Sequence, residues 1–470
     1  MHRNRHTATD TPQQMHRNKR PAIIHEKYRP MHHEHRNRLL TLFKDEDKSI
    51  IYLRGGAVSH RYNTDFEYPF RQESNFLYLT GVDEPDMSAV LHCGTGEYVL
   101  VIPRRDAQFA VWMGYVLTAD DYSSKYGPDK VIYDDELSDW LKKQNPDTVH
   151  GLPGSEQDIR QFGLTPDTGH LQDALAWCRV IKTDGEIANL KIAAAAANQA
   201  HLEVMQAVYP GAYEYEMKAV FDFHAIRQGQ LHPPYSGIFA SGPGSAILHH
   251  TGKHRQLGDG ELFLVDAGTE CHGYASDITR TYPVNGRFSP LQADLYDIVL
   301  DAQTTAINLI RPGNKMEDAH LASAKVIVTG LRDCGLVKGD IDELMDKNVF
   351  ALFFPHGLGH FLGLDTHDVG GYPKGTKRID RPGLRFLRAR RIFESGMVLT
   401  IEPGLYFIPA LLEPAFADKE ISGFLNSKRL KELFDFGGIR IEDNVIVRDD
   451  GLENLTTVPK IRQEIELVMR

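Results

Sequence analysis

The sequence predicts a two-domain protein of mixed α/β (α+β) class, and three observations support this prediction. The chain has 470 residues, 41% of them hydrophobic and 9% aromatic, which is enough for two or three sizeable cores. Its N-terminal third alternates short strand-like runs with helical segments, as α/β domains do. Its C-terminal part opens on long helical stretches and continues with strands separated by turns.

The predicted N-terminal domain covers residues 34–166. Its strand-like runs are SIIYLRG, NFLYLTG, MSAVLHC and YVLVIP. The segment HGLPGSEQDIRQFGLTPDTG, residues 150–169, combines glycine, proline and polar residues and therefore predicts a linker. Helix-type sequence from LQDALAWCRV onward opens the predicted C-terminal domain, residues 167–470.

The first 33 residues predict a flexible, basic, histidine-rich leader. Residues 1–38 contain seven His, nine Lys or Arg and only three acidic residues. A metal-binding or nucleic-acid-binding arm is an alternative. An organellar transit peptide is a weaker one, because serine is absent from this stretch. The flexible leader is the favoured interpretation.

Charge and cysteine content restrict the class of protein. The net charge of −11 argues against nucleic-acid binding. No apolar leader or long apolar stretch indicates secretion or membrane insertion. The four cysteines have no CxxC or zinc-type spacing, which indicates a reducing compartment, so we expect a cytoplasmic protein. They are Cys93, Cys178, Cys271 and Cys334.

Two aspartates stand in a predicted hairpin. ELFLVDAGTE and YASDITRTYP have the composition of strands, with CHG as the turn. If the hairpin is symmetric about Cys271 and His272, Asp266 and Asp277 lie opposite each other. Like charges in that position repel by roughly 0.2–1 kcal/mol even on an exposed sheet, and a bound cation removes this cost. For these two residues alone, a solvated surface hairpin is the alternative.

Three histidines follow within twelve residues, in FFPHGLGHFLGLDTHDVGG. The spacing of His356 and His360 puts them on one face of a helix or of a strand, but Gly357 and Gly359 argue against a regular helix. His367 completes the cluster. A single histidine is usually a core residue, whereas three of them among glycines that allow close backbone approach indicate a functional site.

Two glutamates end or follow apolar strands further on. MVLTIEPGLYF predicts a buried strand that ends at Glu402, before a Pro-Gly turn. In GGIRIEDNVIV, alternation puts Arg440 and Glu442 on one strand face and the isoleucines on the other. Metal binding explains carboxylates in such apolar settings. The four carboxylates and one of the histidines together suit two divalent metal ions.

This order of motifs resembles the pita-bread metallopeptidases, the group that contains methionine aminopeptidase, aminopeptidase P and prolidase. The resemblance implies that Asp277 and Glu442 bridge two metal ions, that Asp266 completes one site, and that His360 and Glu402 complete the other. YPFRQESNFLYLTGVDEP resembles the non-catalytic domain of aminopeptidase P and prolidase. The stretch from GGYPKG to GGIRIE resembles the long, eukaryotic-type prolidases. The implied fold is therefore an aminopeptidase P-type α/β domain followed by a pita-bread catalytic domain.

The same resemblance implies catalytic roles near the metals. Glu402 would act as general base and proton shuttle, and His356 would help to stabilise the tetrahedral oxyanion. His249 and His367 fall on further active-site histidines, although the adjacent His250 is an alternative to His249.

Substrate-binding roles are also implied. Tyr235, His249 and His367 would frame the proline ring and its carbonyl, and Arg440 is assigned to substrate binding. Arg388 would pair with the C-terminal carboxylate of a dipeptide through two charge-assisted hydrogen bonds. The alternative for Arg388 is a place in the surface basic run, whose other members are Arg381, Arg385, Arg390 and Arg391.

The implied activity is hydrolysis of Xaa-Pro dipeptides by a dinuclear centre, with manganese as the expected metal and cobalt or zinc as alternatives. An Xaa-Pro aminopeptidase that acts on longer peptides with proline second is the main alternative. A non-catalytic binding protein on the same fold is the alternative of another class. The resemblance further implies a homodimer, with small peptides as partners and without nucleic acid or membrane.

Overall fold

The computed structural model describes residues 24–470, with side chains from residue 29 onward, and the chain divides into two compact units between Ala174 and Leu175. Residues 1–23 of the predicted leader lie outside the described residues. Residues 24–33 do not continue that leader, because they form the first part of helix α1 (Ile24–Leu40). Within residues 24–470, no helix has the length and apolar character needed to cross a bilayer.

The first unit is built on a six-stranded mixed sheet in the order β4-β3-β2-β1-β5-β6. The pairs β1/β2 and β2/β3 are antiparallel, while β3/β4, β1/β5 and β5/β6 are parallel. The strands are β1 (Ile50–Arg54), β2 (Ser88–His92), β3 (Tyr98–Ile102), β4 (Lys130–Tyr133), β5 (Val149–His150) and β6 (Pro166–Asp167). The further helices are α2 (Ser74–Thr80), α3 (Phe109–Met113), α4 (Ala119–Tyr126), α5 (Leu137–Gln144) and α6 (Glu156–Gln161), and α7 (Leu171–Val180) contains the division between the units.

The strand prediction for NFLYLTG was wrong, because this segment forms helix α2. The Glu73 side chain caps its first turn by accepting a hydrogen bond from the Phe76 N–H at 2.6 Å. Gly81 ends the helix in the left-handed conformation, with φ 69°. The caps at both ends stabilise the helix and so offset the preference of its aromatic residues for strands. Two of these residues, Phe76 and Tyr78, are buried in the helix.

The linker prediction for residues 150–169 was also wrong. The segment contributes His150 to β5, forms α6 and supplies the edge strand β6. Ile159 of α6 is completely buried in the core of the first unit. The turn-forming residues of this segment therefore belong to short connections inside the first unit. The division between the two units lies eight residues after the predicted boundary at 166.

The second unit combines long helices with short antiparallel sheets ordered β11-β8-β7, β12-β15-β16, β13-β14 and β9-β10. The helices are α8 (Asp184–Ala207), α9 (Glu214–Arg227), α10 (Pro290–Ile307), α11 (Met316–Asp333), α12 (Ile341–Asp346), α13 (Pro409–Ala417), α14 (Ser427–Lys431) and α15 (Arg462–Val468). The strands are β7 (Ile238–Ser241), β8 (Leu262–Ala267), β9 (Glu270–Cys271), β10 (Tyr274–Ala275), β11 (Ile278–Pro283), β12 (Val398–Ile401), β13 (Gly404–Tyr406), β14 (Gly438–Arg440), β15 (Asp443–Arg448) and β16 (Gly451–Asn454).

The predicted aspartate hairpin exists, but its register differs from the prediction by two residues. Its turn is centred between His272 and Gly273, which both have positive φ, 48° and 84°, as a two-residue type I′ hairpin requires. Asp266 therefore lies opposite Thr279 rather than opposite Asp277. Because residues two apart on a strand share a face, Asp277 is a diagonal neighbour of Asp266.

The strands that lead to the site are β7, β8, β11, β12, β13, β14 and β15, and they are buried at every residue with the single exception of Arg448. Their apolar side chains enter one core, shown by Phe263 on β8, Leu399 on β12 and Ile439 on β14, which are almost fully inaccessible. Because these strands are packed into the core, their backbone fixes the positions of the polar side chains at the strand ends.

Candidate active site

One cavity of about 700 Å³ in the second unit gathers every residue that the sequence assigned to a site. On its wall lie Tyr235, His249, Asp266, Asp277, His356, His360, His367, Arg388, Glu402, Arg440 and Glu442. These residues span more than two hundred positions of sequence, so the fold brings them together.

Asp266 and Asp277 are linked by one hydroxyl group. Tyr235 Oη lies 2.8 Å from Asp266 Oδ1 and 2.5 Å from Asp277 Oδ1. Asp266 also accepts a hydrogen bond from Arg440 Nη2, and Asn444 bonds to both backbone groups of Asp277. Tyr235, predicted to contact proline, therefore holds the two carboxylates in place.

The guanidinium of Arg440, which is predicted to bind substrate, is hydrogen-bonded to neighbouring side chains. It is 4% exposed, and its nitrogens donate to Asp266, to Tyr406 Oη at 2.9 Å and to Thr279 Oγ1 at 3.2 Å. With its guanidinium engaged in these three contacts, Arg440 supports the Asp266 carboxylate from the cavity wall.

Glu442 lies at a break in the predicted strand, because β14 ends at Arg440 and β15 begins at Asp443. An isolated bridge to Thr279 fixes its backbone, and Thr279 Oγ1 donates to Glu442 Oε2 at 2.7 Å. The other oxygen, Oε1, is buried and has no hydrogen-bond partner among residues 24–470. A buried carboxylate oxygen without a donor is costly, and a cation would satisfy it.

His360 presents one ring nitrogen to the carboxylates. Its Nδ1 lies 3.0 Å from the Phe361 carbonyl, which can only accept, so Nδ1 carries the proton and Nε2 has the lone pair. Nε2 is 3.4 Å from Asp277 Oδ2 and 3.7 Å from Glu402 Oε1. Burial lowers the pKa of His360 to about 4, which keeps the ring neutral, the form in which imidazole binds metals.

Burial and mutual repulsion raise the pKa values of three carboxylates in the cavity. Burial, followed by the charge of Asp266, raises the pKa of Asp277 well above its usual value. Burial and the charge of Asp277 raise the pKa of Glu442, and burial and the charge of Glu442 raise that of Glu402. Such a cluster holds protons or cations, because its members cannot all ionise alone.

The ligand atoms form groups that are compact enough for metal ions. Within Asp266–Asp277–Glu442, and again within His360–Glu402–Glu442, one ligand atom from each residue lies within 4.8 Å of the others. The two groups share Glu442. A third group joins Asp277 and His360 to His367. The donor set, carboxylate oxygens with one or two imidazoles, suits Mn²⁺, Co²⁺ or Zn²⁺.

Glu402 and His356 are both positioned by backbone or side-chain contacts beside the ligand cluster. Glu402 directly follows β12, at the strand end that the sequence predicted. His356 Nδ1 lies 2.8 Å from the Gly357 carbonyl, and Nε2 lies 2.9 Å from Tyr406 Oη. Burial lowers the pKa of His356 to about 3, so the ring is neutral and Nε2 accepts from the tyrosine. In this arrangement both ring nitrogens of His356 are engaged.

Two histidines occupy the outer part of the cavity wall. His367 is exposed and packs edge-on against His360, with ring centroids 4.4 Å apart. The surroundings of His249 and His250 differ, and they favour His249 as the histidine that faces the cavity. His250 Nε2 lies 3.4 Å from the buried carboxylate of Glu214, whereas His249 is exposed to the cavity.

Arg388 differs from the other arginines of its run. Arg381 bonds to Asn348, Arg385 lies 3.5 Å from Asp380, and neither lines the cavity. Arg390 bonds to Glu317 and Arg391 to the Gly370 carbonyl. Arg388 is exposed, lines the cavity and has no hydrogen bond or ion pair with residues 24–470. It is thus the member of the run that is placed to receive a ligand.

Sequence reasoning missed several residues that hold the site. Tyr406, on β13, connects Arg440 to His356 through hydrogen bonds to both side chains. Asp368 anchors the histidine segment through Arg179 Nη2 at 2.6 Å and Lys182 Nζ at 2.9 Å. No local pattern predicts these pairs, because the partners are far apart in sequence.

Comparison with known proteins agrees with this geometry. Residues 32–150 match the aminopeptidase P N-terminal domain, and residues 188–449 match metallopeptidase family M24. The Xaa-Pro dipeptidases of Rattus norvegicus and Homo sapiens are both 40% identical over 438 residues, which cover 90% of this chain and 89% and 88% of the relatives.

A second type of relative, an aminopeptidase of known structure, is similar over most of the chain. The solved structure of Pseudomonas aeruginosa aminopeptidase PepP is 34% identical, with a TM-score of 0.82, and the match covers 94% of this chain and 98% of that one. Family matches extend over both units and include all five predicted ligand residues. The chain belongs to metallopeptidase family M24.

Proposed function

We propose that this chain is a dinuclear metallopeptidase that hydrolyses Xaa-Pro dipeptides. The observation that carries the proposal is the pairing, in one cavity, of a metal-ligand cluster with the unpartnered arginine Arg388. The two mammalian dipeptidases that cover 90% of the chain support the same substrate class.

The five residues Asp266, Asp277, His360, Glu402 and Glu442 would hold the ions. The orphaned Glu442 Oε1 and the raised carboxylate pKa values support their fit to cations. Two groups that share Glu442 support a count of two, and we propose Mn²⁺ as the physiological metal. Bound ions supply Lewis-acid polarisation of the scissile carbonyl and lower the pKa of a coordinated water.

The protein groups then move the protons. Glu402 lies at the open side of the cluster and is less buried than Glu442, with side-chain exposures of 18% and 2%. It would accept a proton from the attacking water and pass it to the leaving proline nitrogen. His356 would orient Tyr406, since both of its ring nitrogens are engaged and Nε2 accepts from that hydroxyl.

Arg388 would set the substrate length. An Xaa-Pro bond is a tertiary amide with a constrained ring, so a dedicated pocket is needed, and the exposed His249 and His367 would frame that ring. In a dipeptide the free carboxylate follows the ring directly and can take the guanidinium fork of Arg388. In a longer peptide an amide stands in that place.

Xaa-Pro aminopeptidase activity is the second candidate. It is favoured by the similarity to the Pseudomonas aeruginosa structure and to a probable Xaa-Pro aminopeptidase of Coccidioides posadasii, which is 36% identical over 96% of this chain and 98% of the relative. The same metal cluster would serve both reactions, so the cluster does not distinguish between them.

The deciding experiment compares Gly-Pro with Gly-Pro-Ala at equal concentration on the manganese-loaded protein. Much faster cleavage of the dipeptide is expected, and equal or faster cleavage of the tripeptide would transfer the assignment to aminopeptidase. Hydrolysis of neither peptide would leave the non-catalytic binding protein as the interpretation.

We also propose that the enzyme is a cytoplasmic homodimer. The homodimer is supported by the resemblance to prolidases. The cytoplasmic setting is supported by the scattered cysteine spacing in the sequence.

A further inference from the structure

A second group of metal-ligand residues lies in the first unit, apart from the catalytic cluster. His150 ends β5, Asp167 ends the parallel strand β6, and the two residues are register partners. His170 follows three residues later. One ligand atom from each of the three lies within 4.8 Å of the others.

The buried histidine of this group has an unsatisfied nitrogen. The His150 side chain is 2% exposed, and its Nε2 lies 2.6 Å from Glu46 Oε2. Its Nδ1 lies 3.2 Å from Asp167 Oδ2, yet it is buried without a hydrogen-bond partner among residues 24–470. If Nε2–H donates to Glu46, the lone pair on Nδ1 faces a carboxylate oxygen, which repels it.

A cation between Nδ1 and the carboxylate resolves this conflict. Histidines that bind metals usually donate their other N–H to a carboxylate, which is the relationship between His150 and Glu46. Asp167 Oδ2 also lies 2.7 Å from His170 Nδ1, so this one carboxylate oxygen lies beside an imidazole nitrogen of each histidine. Asp167 keeps its orientation because its Oδ1 accepts the Gly169 N–H at 2.8 Å.

We propose that His150 Nδ1, Asp167 and His170 Nδ1 form a second zinc site, in the first unit. Two imidazole nitrogens and one carboxylate suit Zn²⁺, and a water would complete four-coordination on the side where His170 is 69% exposed. On zinc binding, the His170 ring would exchange its hydrogen bond to Asp167 for a Zn–N bond, and its exposure leaves space on the outer side for the outward shift that this requires. The ion would fasten the two-residue edge strand β6 and the turn after it to β5.

The experiment measures zinc content on the full chain after chelation, reloading and extensive dialysis. We compare wild type with His170→Ala, Asp167→Asn and the control His254→Ala, an exposed histidine of the second unit. The leader histidines and the catalytic cluster are the same in all four proteins, so they contribute an equal background. The expected result is one zinc equivalent fewer in His170→Ala and Asp167→Asn, and none fewer in the control.

Cobalt substitution supplies a readout independent of activity. Co²⁺ added to the wild type should give an additional visible absorption component, which the His170→Ala spectrum lacks, while the rate of Gly-Pro hydrolysis stays the same. Equal zinc content in all four proteins would overturn the proposal. An equal loss in His254→Ala would also overturn it, because binding would then be a property of surface histidines in general.

Discussion

Arg440 Nη2 donates a hydrogen bond to Asp266 Oδ2 in the interior of the second unit, where Tyr235 occupies the other oxygen of the same carboxylate. Both oxygens of this ligand residue are therefore oriented before any ion arrives. Preorganisation of this kind lowers the cost of ordering the site on metal binding.

Arg440→Lys should lower metal affinity by roughly 10- to 100-fold, as loss of groups behind a metal ligand does. A lysine keeps the positive charge but cannot reach Asp266, Tyr406 and Thr279 together. Metal content after dialysis against dilute chelator checks this. Arg385→Lys, on the surface beside Asp380, is the matched control and should retain its metal. Equal retention by the two variants would contradict the support role.

Asp277→Asn should abolish peptidase activity and reduce the metal content of both sites, because Asp277 lies in ligand groups on both sides of the cluster. Activity and metal stoichiometry are measured on the same preparation. Asp301→Asn, an exposed carboxylate on α10, serves as the control. Full turnover by the Asp277→Asn variant with one ion or none would exclude a dinuclear mechanism.

Arg388→Ala should slow dipeptide hydrolysis by roughly 10- to 100-fold, since a hydrogen bond to a charged group is worth about 1.5–3 kcal/mol. Metal content should not change, because Arg388 does not belong to the ligand groups. The ratio kcat/KM for Gly-Pro is the measurement, with Arg385→Ala as control. An unaffected Arg388→Ala protein would return this residue to the surface run.

The stabilising effect of metal should increase with pH. In the metal-free protein the pKa values of Asp277, Glu402 and Glu442 are raised above those of the unfolded chain. At a pH below the ordinary carboxylate pKa values these groups are protonated, and they do not reduce the free energy of unfolding of the metal-free protein. As the pH rises through the raised pKa values, that free energy of unfolding falls. Bound metal replaces the protons and removes that loss.

The check is the difference in Tm between metal-loaded and chelated protein at about pH 5.5 and about pH 8, a range that extends above the ordinary carboxylate pKa. The difference should be larger at the higher pH, and smaller in Asp277→Asn. If the Tm difference between metal-loaded and chelated protein falls as pH rises, the carboxylates of the cluster are not protonated in the metal-free protein.

Sedimentation equilibrium should give twice the chain mass of 53.0 kDa if the proposed homodimer forms. The mass of a single chain at working concentration would refute this proposal. Neither result would alter the assignment of the metal ligands.

The sequence predicted which residues enter the site better than it predicted how they are held there. Glu402 was placed correctly because a buried apolar strand ending before Pro-Gly has few alternatives. The hairpin register was two residues off because the turn depends on φ at His272, a property that composition does not reveal. The hydrogen bonds that Arg440 and His356 make with Tyr406 could not be predicted, because each joins residues more than thirty positions apart in the sequence.

The bridge between Thr279 and Glu442 has a consequence for biosynthesis. It joins positions 163 residues apart, and the cluster as a whole needs both the β8–β11 hairpin and the strand break before β15. Contacts of such long range form only after most of the chain has been ordered. A ribosome-bound chain that ends before residue 442 lacks the ligand residue that two of the groups share, so both groups are incomplete until Glu442 has been synthesised and placed beside Thr279.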